Sequence, residues 1–256
     1  DQFGMITVNK SYVYVINPIL HRFGAELFNA DKTQCLLDRP NAIEALSWYY
    51  GLGLKDHCVP SFTGSDARAG GISGGPEEQF IGGKIAMWEA EGEWASIFKE
   101  RIKNFEWDVA EPAHGRERAV GYEAFGMSMS ATTKHPKEAW RFLKFLVGPE
   151  GQKILLKYEV GIPVLKSLCT SSEYYLKPGT LPPSRNVFLK TISYGRDIPS
   201  LRNFTEVEAA ICAQLDLALI GEKSTPDACR AAARAANELL KRSEEHTSEL
   251  QSRHNL

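Results

Sequence analysis

The chain has 256 residues, 43% of them hydrophobic and 24% charged, with a formal net charge of −2. That composition suits a globular chain with enough apolar residues for one large domain or for two lobes with cores of their own. Near-neutral charge gives no reason to expect nucleic acid or an anionic membrane as partner, and no window approaches the roughly 18 uninterrupted apolar residues of a bilayer span.

The chain opens on Asp1 and reads within a few residues like the interior of a protein, with no secretory leader. Residues 4–15 alternate and carry β-branched and aromatic side chains, which predicts a strand or a strand followed by a helix. "NADKTQCLLDRP" reads as a turn and short hairpin. A helix follows from Pro40, with Ile43, Leu46 and Tyr50 at helical spacing, and Gly51 or Gly53 is expected to stop it. "TGSDARAGGISGGPEE" is rich in glycine but lacks the GK[ST] ending of a phosphate loop, so it reads as a surface loop. Then come a short helix, a Gly82–Gly83 turn, a strand over 84–88 and a helix after Gly92. "FEWDVAEPAHGRER" reads as a strand running into a connection, the best candidate for a crossing between lobes.

"GYEAFGMSMSATT" reads as a strand. "HPKEAWRFLKFLVG" is the strongest helix in the sequence: Pro136 starts it, Ala139, Phe142, Leu143 and Leu146 share an apolar face, and Gly148 stops it. "PEGQKILLKYEVG" predicts a shorter helix, "IPVLKS" an extended crossing, and residues 186–203 a mixture of helix and loop. Thr205 and Glu208 have capping-box spacing ahead of a stripe of Val207, Ile211, Leu215 and Leu219. "GEKSTPDA" is a turn and a new N-cap for an alanine-rich final helix.

That helix gives way to "RSEEHTSELQS", a charged run without apolar period. Back-translated, the run fits the oligonucleotide adapter ligated to DNA fragments in short-read sequencing. Residues 242–256 are therefore expected to be a non-native tail, the alternative being a solvated charged end. Cys35, Cys58, Cys169, Cys212 and Cys229 are widely spaced with no CxxC, which argues for free thiols rather than a disulfide framework. His57–Cys58 is the one adjacent pair of soft ligands and lacks a second pair, so neither a metal nor another cofactor is expected.

The order of the signals resembles the family-1 extracellular solute-binding proteins of ABC importers, the sugar-binding group that includes maltodextrin-binding proteins. "FIGGKIAMWEAEGEWA" resembles that family's F-x-x-G-K-x-A-M-x-x-x-G-x-W segment. "GYEAFGMSMSATTKHPKEAWRFLKFLVGPEGQ" resembles its Gly-rich strand and the two helices after it, "GIPVLKS" its G-x-P-x-x-K-S crossing, and "FNADKTQCLLDRPNAIEALSWYYGL" the stretch before them. The resemblance covers nearly all of residues 1–241 and implies an α/β, two-lobe periplasmic-binding-protein fold of type II. One lobe would be nearly complete (residues 1–110 and 164–241), and the other a remnant at 111–163, most of it missing. It further implies a monomer that takes a sugar or similar polar solute into a cleft and hands it to ABC permease subunits. The setting implied is the periplasm or the outer face of the cell, as a free or lipid-anchored protein.

Sugars present apolar C–H faces ringed by hydroxyls, so they are held by aromatic plates with planar donors and acceptors. Trp94 matches the family tryptophan that stacks on a pyranose; a core tryptophan is the alternative. Tyr12 and Tyr14 lie where the family places an aromatic; in an extended segment they would share a face and in a helix they would separate. Tyr12 is favoured. Glu89, Glu91 and Glu93 alternate along the chain and on a strand would share one face, either as a solvated edge or with Glu91 accepting from sugar hydroxyls. Gly121, Tyr122 and Glu123 match the Gly-rich strand entry, and Arg202 precedes a helix that borders the cleft in relatives. The competing expectation is a carbohydrate-active hydrolase with Glu91 and Glu123 as acid and base.

Overall fold

A computed structural model describes residues 3–6, 12–60, 75–124, 126–159 and 161–254, with side chains in the last helix described as far as Arg242. The expected glycine-rich surface loop lies outside the described residues up to position 74, as does Phe125. The chain divides into two compact units: Asp1–Trp88, Ala113–Tyr122 and Tyr194–Leu256 form the first, Glu89–Pro112 and Glu123–Ser193 the second.

The first unit is built on four helices: α1 (Val13–Arg22), α2 (Pro40–Leu54), α9 (Phe204–Leu219) and α10 (Thr225–His254). The stripe of Val207, Ile211, Leu215 and Leu219 is buried as its spacing requires, and it meets Ala228, Ala232, Ala233, Ala236 and Leu240 of α10. Alanines on α10 let the two axes come close, and α10 packs most heavily on α9. Val13, Ile16, Ile19 and Leu20 of α1 and Ala42, Ala45, Leu46, Tyr49 and Tyr50 of α2 complete the core. Each fully buried Leu or Ile contributes about 1.5–3 kcal/mol.

Two local expectations are not met. The helix α2 does not stop at Gly51 or Gly53 but runs to Leu54. Gly53 serves a close approach instead, since a Cβ there would lie 3.0 Å from Val59 Cγ2. The expected capping box at Thr205 does not form: the N-cap of α9 is Asn203, and Glu208 Oε1 accepts from the Val13 N–H at 3.0 Å. Glu208 thus caps the start of α1, whose own N-cap residue, Tyr12, makes no side-chain cap. The backbone of α10 continues helically through the charged tail to His254. Its N-terminus does follow expectation, with Ser224 Oγ accepting from the Asp227 N–H at 3.3 Å.

Two parallel strand pairs belong to the first unit. β1 (Phe3–Ile6) pairs with β2 (Ile85–Trp88), Phe3 opposite Ile85 and Met5 opposite Met87. Between them in sequence come the short helix α3 (Pro76–Ile81) and the expected Gly82–Gly83 turn. β3 (Val120–Tyr122) pairs with β4 (Gly195–Asp197). The turn and short hairpin expected at 29–40 are a single antiparallel bridge, Phe28 to Cys35, around a turn in which Asn29 Oδ1 accepts from the Thr33 and Gln34 N–H groups.

The second unit holds α4 (Trp94–Arg101), α5 (Pro136–Val147), α6 (Pro149–Lys157), α7 (Lys166–Cys169) and α8 (Val187–Thr191). Several of its ties are polar. Asp108 accepts from Ser184 N–H at 2.9 Å and Oγ–H at 2.7 Å, Lys99 meets Glu159 at 2.7 Å, and Gln152 donates to Leu146 O and accepts from the Val164 N–H. α5 forms over the expected residues, yet none of it is buried: Trp140, Phe142, Phe145 and Val147 are exposed. On the expected apolar face Ala139, Leu143 and Leu146 are half-buried and Phe142 is exposed.

Residues 113–122 sit with the first unit because β3 pairs with β4 and because α1 fastens the approach to it. Arg22 Nε donates to Ala119 O at 2.9 Å, Glu117 N–H to Arg22 O, and Arg116 to Phe23 O and to both carboxylate oxygens of Glu44. Among the described residues the expected strand in "FEWDV" does not form, and "GYEAFGMSMSATT" is strand at its first two residues, the end of β3.

Candidate functional site

The first unit carries Tyr12, Gly121, Tyr122 and Arg202; the second carries Glu91, Trp94 and Glu123. Tyr12 keeps an extended backbone (φ −57°, ψ 143°) and α1 begins at the next residue. The segment is therefore neither wholly extended nor wholly helical. Its rings come together all the same: Tyr12 and Tyr14 stack with centroids 5.4 Å apart and 18° between planes. Tyr14 is 39% exposed and Tyr12 half-buried, so neither is a closed-core residue.

β3 runs against α1 at this point. A Cβ on Gly121 would lie 3.7 Å from Tyr14 O and 3.9 Å from Pro18 Cγ, ordinary contact distances, so sterics alone do not demand glycine there. Tyr122, exposed, stands opposite Asp197 of β4, and Asp197 O accepts from Asn17 Nδ2 of α1 at 3.1 Å. The start of α1, with its Tyr12–Tyr14 stack, thus lies against β3 through Gly121, and Tyr122 as the next strand residue projects from the other face of β3. His21 of α1 is held well into the fold beside Glu26 at 3.4 Å. Burial lowers its pKa, Glu26 pulls the other way, and Arg196 lowers it further.

In the second unit Glu91 and Trp94 are hydrogen-bonded to each other twice. The Trp94 N–H donates to Glu91 O at 3.1 Å, and the indole Nε1–H donates to Glu91 Oε2 at 3.1 Å. The Trp94 ring stacks on Phe98 at 6.2 Å and 24°, and Phe98 meets Trp107 edge-on at 5.6 Å. Phe98 is buried while Trp94 is half-buried, so the indole is an outward plate backed by an aromatic cluster. Phe98 and Trp107 were not singled out in the sequence, although the spacing of four from Trp94 to Phe98 marks one helix face. The turn at Gly92 is tight: a Cβ would lie 3.2 Å from Phe188 Cε1.

Glu89, Glu91 and Glu93 do not share a strand face, because β2 ends at Trp88 and the chain turns at 92–93; all three are exposed. Arg202 and Glu123 are both exposed. No group of three or more His, Cys, Asp or Glu is placed to hold a metal among the described residues, and no described helix is long and apolar enough to cross a membrane.

An α/β chain with parallel strand pairs, exposed aromatic plates and adjacent carboxylate and amide groups has the makings of a solute-binding protein. The family model described as "Bacterial extracellular solute-binding protein" matches residues 22–181, and the chain belongs to that family. It is a family of binding proteins rather than enzymes. No curated protein matches the chain in sequence. Solved structures share its fold. The ABC substrate-binding protein Lmo0181 from Listeria monocytogenes, in complex with cycloalternan, superposes with a TM-score of 0.77 at 19% identity, over 94% of this chain and 59% of its own. The cyclic α-maltosyl-1,6-maltose binding protein of Arthrobacter globiformis gives 0.71 at 19%, over 94% and 60%. Maltose-bound MalE3 of T. maritima gives 0.71 at 18%, over 93% and 61%. The chain therefore spans about 60% of the length of these solved structures.

Proposed function

We propose that this chain is part of a receptor that captures a carbohydrate or related polar solute outside the cytoplasmic membrane and delivers it to the permease of an ABC importer. The observation that carries the reading is the Trp94 plate: a half-buried indole, backed by Phe98 and Trp107, with a carboxylate at its edge. Such a surface suits the C–H face of a sugar ring with hydroxyl acceptors beside it. The Tyr12–Tyr14 stack of the first unit is a second surface of the same kind. Family membership and the sugar-binding names of the structural neighbours support the choice of solute. Neither group requires a nucleophile or a shifted acid.

The first unit, with its full core, corresponds in this reading to the nearly complete second lobe, and α5 and α6 to the remnant of the other. The receptor acts as a monomer with one solute per chain. The test is titration of the protein with maltose and maltotriose, followed by calorimetry and thermal shift, for the wild type and Trp94→Ala. Saturable one-to-one binding without product, lost in the variant, is expected. Undiminished affinity in Trp94→Ala would remove Trp94 from the site, and hydrolysis of the sugar would restore the enzyme reading of Glu91 and Glu123.

A further inference from the structure

We infer that Glu91 is the positioning residue of the Trp94 plate: its carboxylate sets the indole's orientation rather than serving mainly as a direct ligand group. The inference rests on the reading of Trp94 as a solute-facing ring. Sequence spacing suggested another role for Glu91, as one of three carboxylates along a strand face. The chain instead turns after Ala90, and residues 91–94 close on themselves through the Trp94 N–H to Glu91 O bond. That closure brings side chain to side chain, so Oε2 receives the indole N–H at 3.1 Å.

A tryptophan at the first position of a helix has freedom about two side-chain torsions. Here three restraints act on it. Glu91 takes the ring's polar edge, Phe98 stacks on it at 6.2 Å, and Trp107 holds Phe98 from the side at 5.6 Å. The stacking sets the ring's plane against Phe98. The hydrogen bond to Nε1 distinguishes one edge of the indole from the other. A stacking plate fixed before the solute arrives spends less ordering entropy on binding. The turn is close-packed, since a Cβ on Gly92 would lie 3.2 Å from Phe188 Cε1 and the ring would have to give.

The test uses the full chain, uniformly labelled with ¹⁵N, as wild type, Glu91→Gln and Glu91→Leu, with Trp94→Phe to assign the indole resonance. Gln keeps an acceptor oxygen at the same reach; Leu keeps the bulk and loses the acceptor. The Trp94 indole N–H of wild type and Glu91→Gln should resonate together and exchange slowly with solvent. In Glu91→Leu it should move upfield and exchange several-fold faster. An unmoved resonance in Glu91→Leu, or a Glu91→Gln spectrum like that of Glu91→Leu, overturns the inference. Maltotriose is the probe for binding: affinity should fall roughly three- to tenfold in Glu91→Leu and return in Glu91→Gln. Equal maltotriose affinity in Glu91→Leu and wild type also overturns it. A wild type that ignores maltotriose counts against the carbohydrate reading and leaves Glu91 to the indole measurement, which needs no ligand.

Discussion

Two helices with nearly the same kind of apolar stripe should respond to truncation in opposite ways. Leu215 on α9 has no exposed surface, and its neighbours Ile211 and Ala218 are equally closed. Leu215→Ala removes buried methyl and methylene groups and leaves a cavity between α9, α10 and α2. The expected cost is about 2–5 kcal/mol. Phe142 on α5 is 60% exposed. Only about two-fifths of its surface is out of water, so of the roughly 1.5–3 kcal/mol available to a fully buried Phe, about 1 kcal/mol is realised. Alanine's better helix propensity returns roughly half of that. Phe142→Ala should therefore be close to neutral. Urea unfolding followed by far-UV circular dichroism, repeated at several protein concentrations, measures both. A Phe142→Ala loss as large as that of Leu215→Ala would show that the α5 face is covered in solution. A midpoint rising with concentration would identify the cover as a second copy.

Other outcomes follow from single contacts. Glu208→Ala should destabilise the first unit by about 1 kcal/mol, because it removes the acceptor for the Val13 N–H, while Thr205→Ala should cost less, since Thr205 caps nothing; equal losses in urea titration would restore the capping box. Arg116→Ala should speed trypsin cleavage at the neighbouring Arg118 by freeing the 113–119 segment from Phe23 O and Glu44, and an unchanged digestion rate would show that β3 pairing alone holds it. Burial pushes the Cys35 and Cys229 thiols up to about 12, so both should resist Ellman's reagent at pH 8 in the native protein and react on unfolding. His21 has its folded pKa below the ordinary 6.5, so the unfolded chain binds the proton more readily. Its contribution is complete above that value and is lost as pH falls from there through the folded pKa; His21→Gln should flatten that limb of the stability curve.

Most of the element order was legible because it depends on local chemistry. Prolines at the first turns of α2, α3, α5 and α6, and the Ser224 cap of α10, are read directly from the residues. Failures occur where a distant partner decides. The strand expected in "FEWDV" has aromatic and β-branched residues but no neighbour to pair with; Trp107 goes to the edge of Phe98 and Asp108 to Ser184. Glu208 sits at perfect spacing for its own helix and is taken by another helix 195 residues away in sequence. The stripe on α5 states that this face avoids water without stating that anything covers it.

The candidate site follows the same division. Trp94 and Tyr12 could be picked from motif position and residue type, because stacking requires a large planar ring and few residues supply one. Their partners could not. Whether Tyr12 and Tyr14 meet depends on where α1 begins: a start one residue earlier would put both in the helix and splay them. The start is fixed at Val13 by Glu208, so a contact from the far end of the chain decides the geometry of an aromatic pair at its beginning. Glu91 shows the converse. Its period-two alternation with Glu89 and Glu93 suggested a strand, yet a turn at Gly92, accommodated by Phe188, converts the same spacing into a three-residue reach to Trp94. One glycine thus separates a row of mutually repelling carboxylates from a carboxylate that orients a ring. Gly92→Val, which crowds Phe188, should therefore disturb the Trp94 indole resonance as strongly as removing the Glu91 acceptor. If Gly92→Val leaves that resonance in place, the turn does not set the geometry and the pairing of Glu91 with Trp94 has another origin.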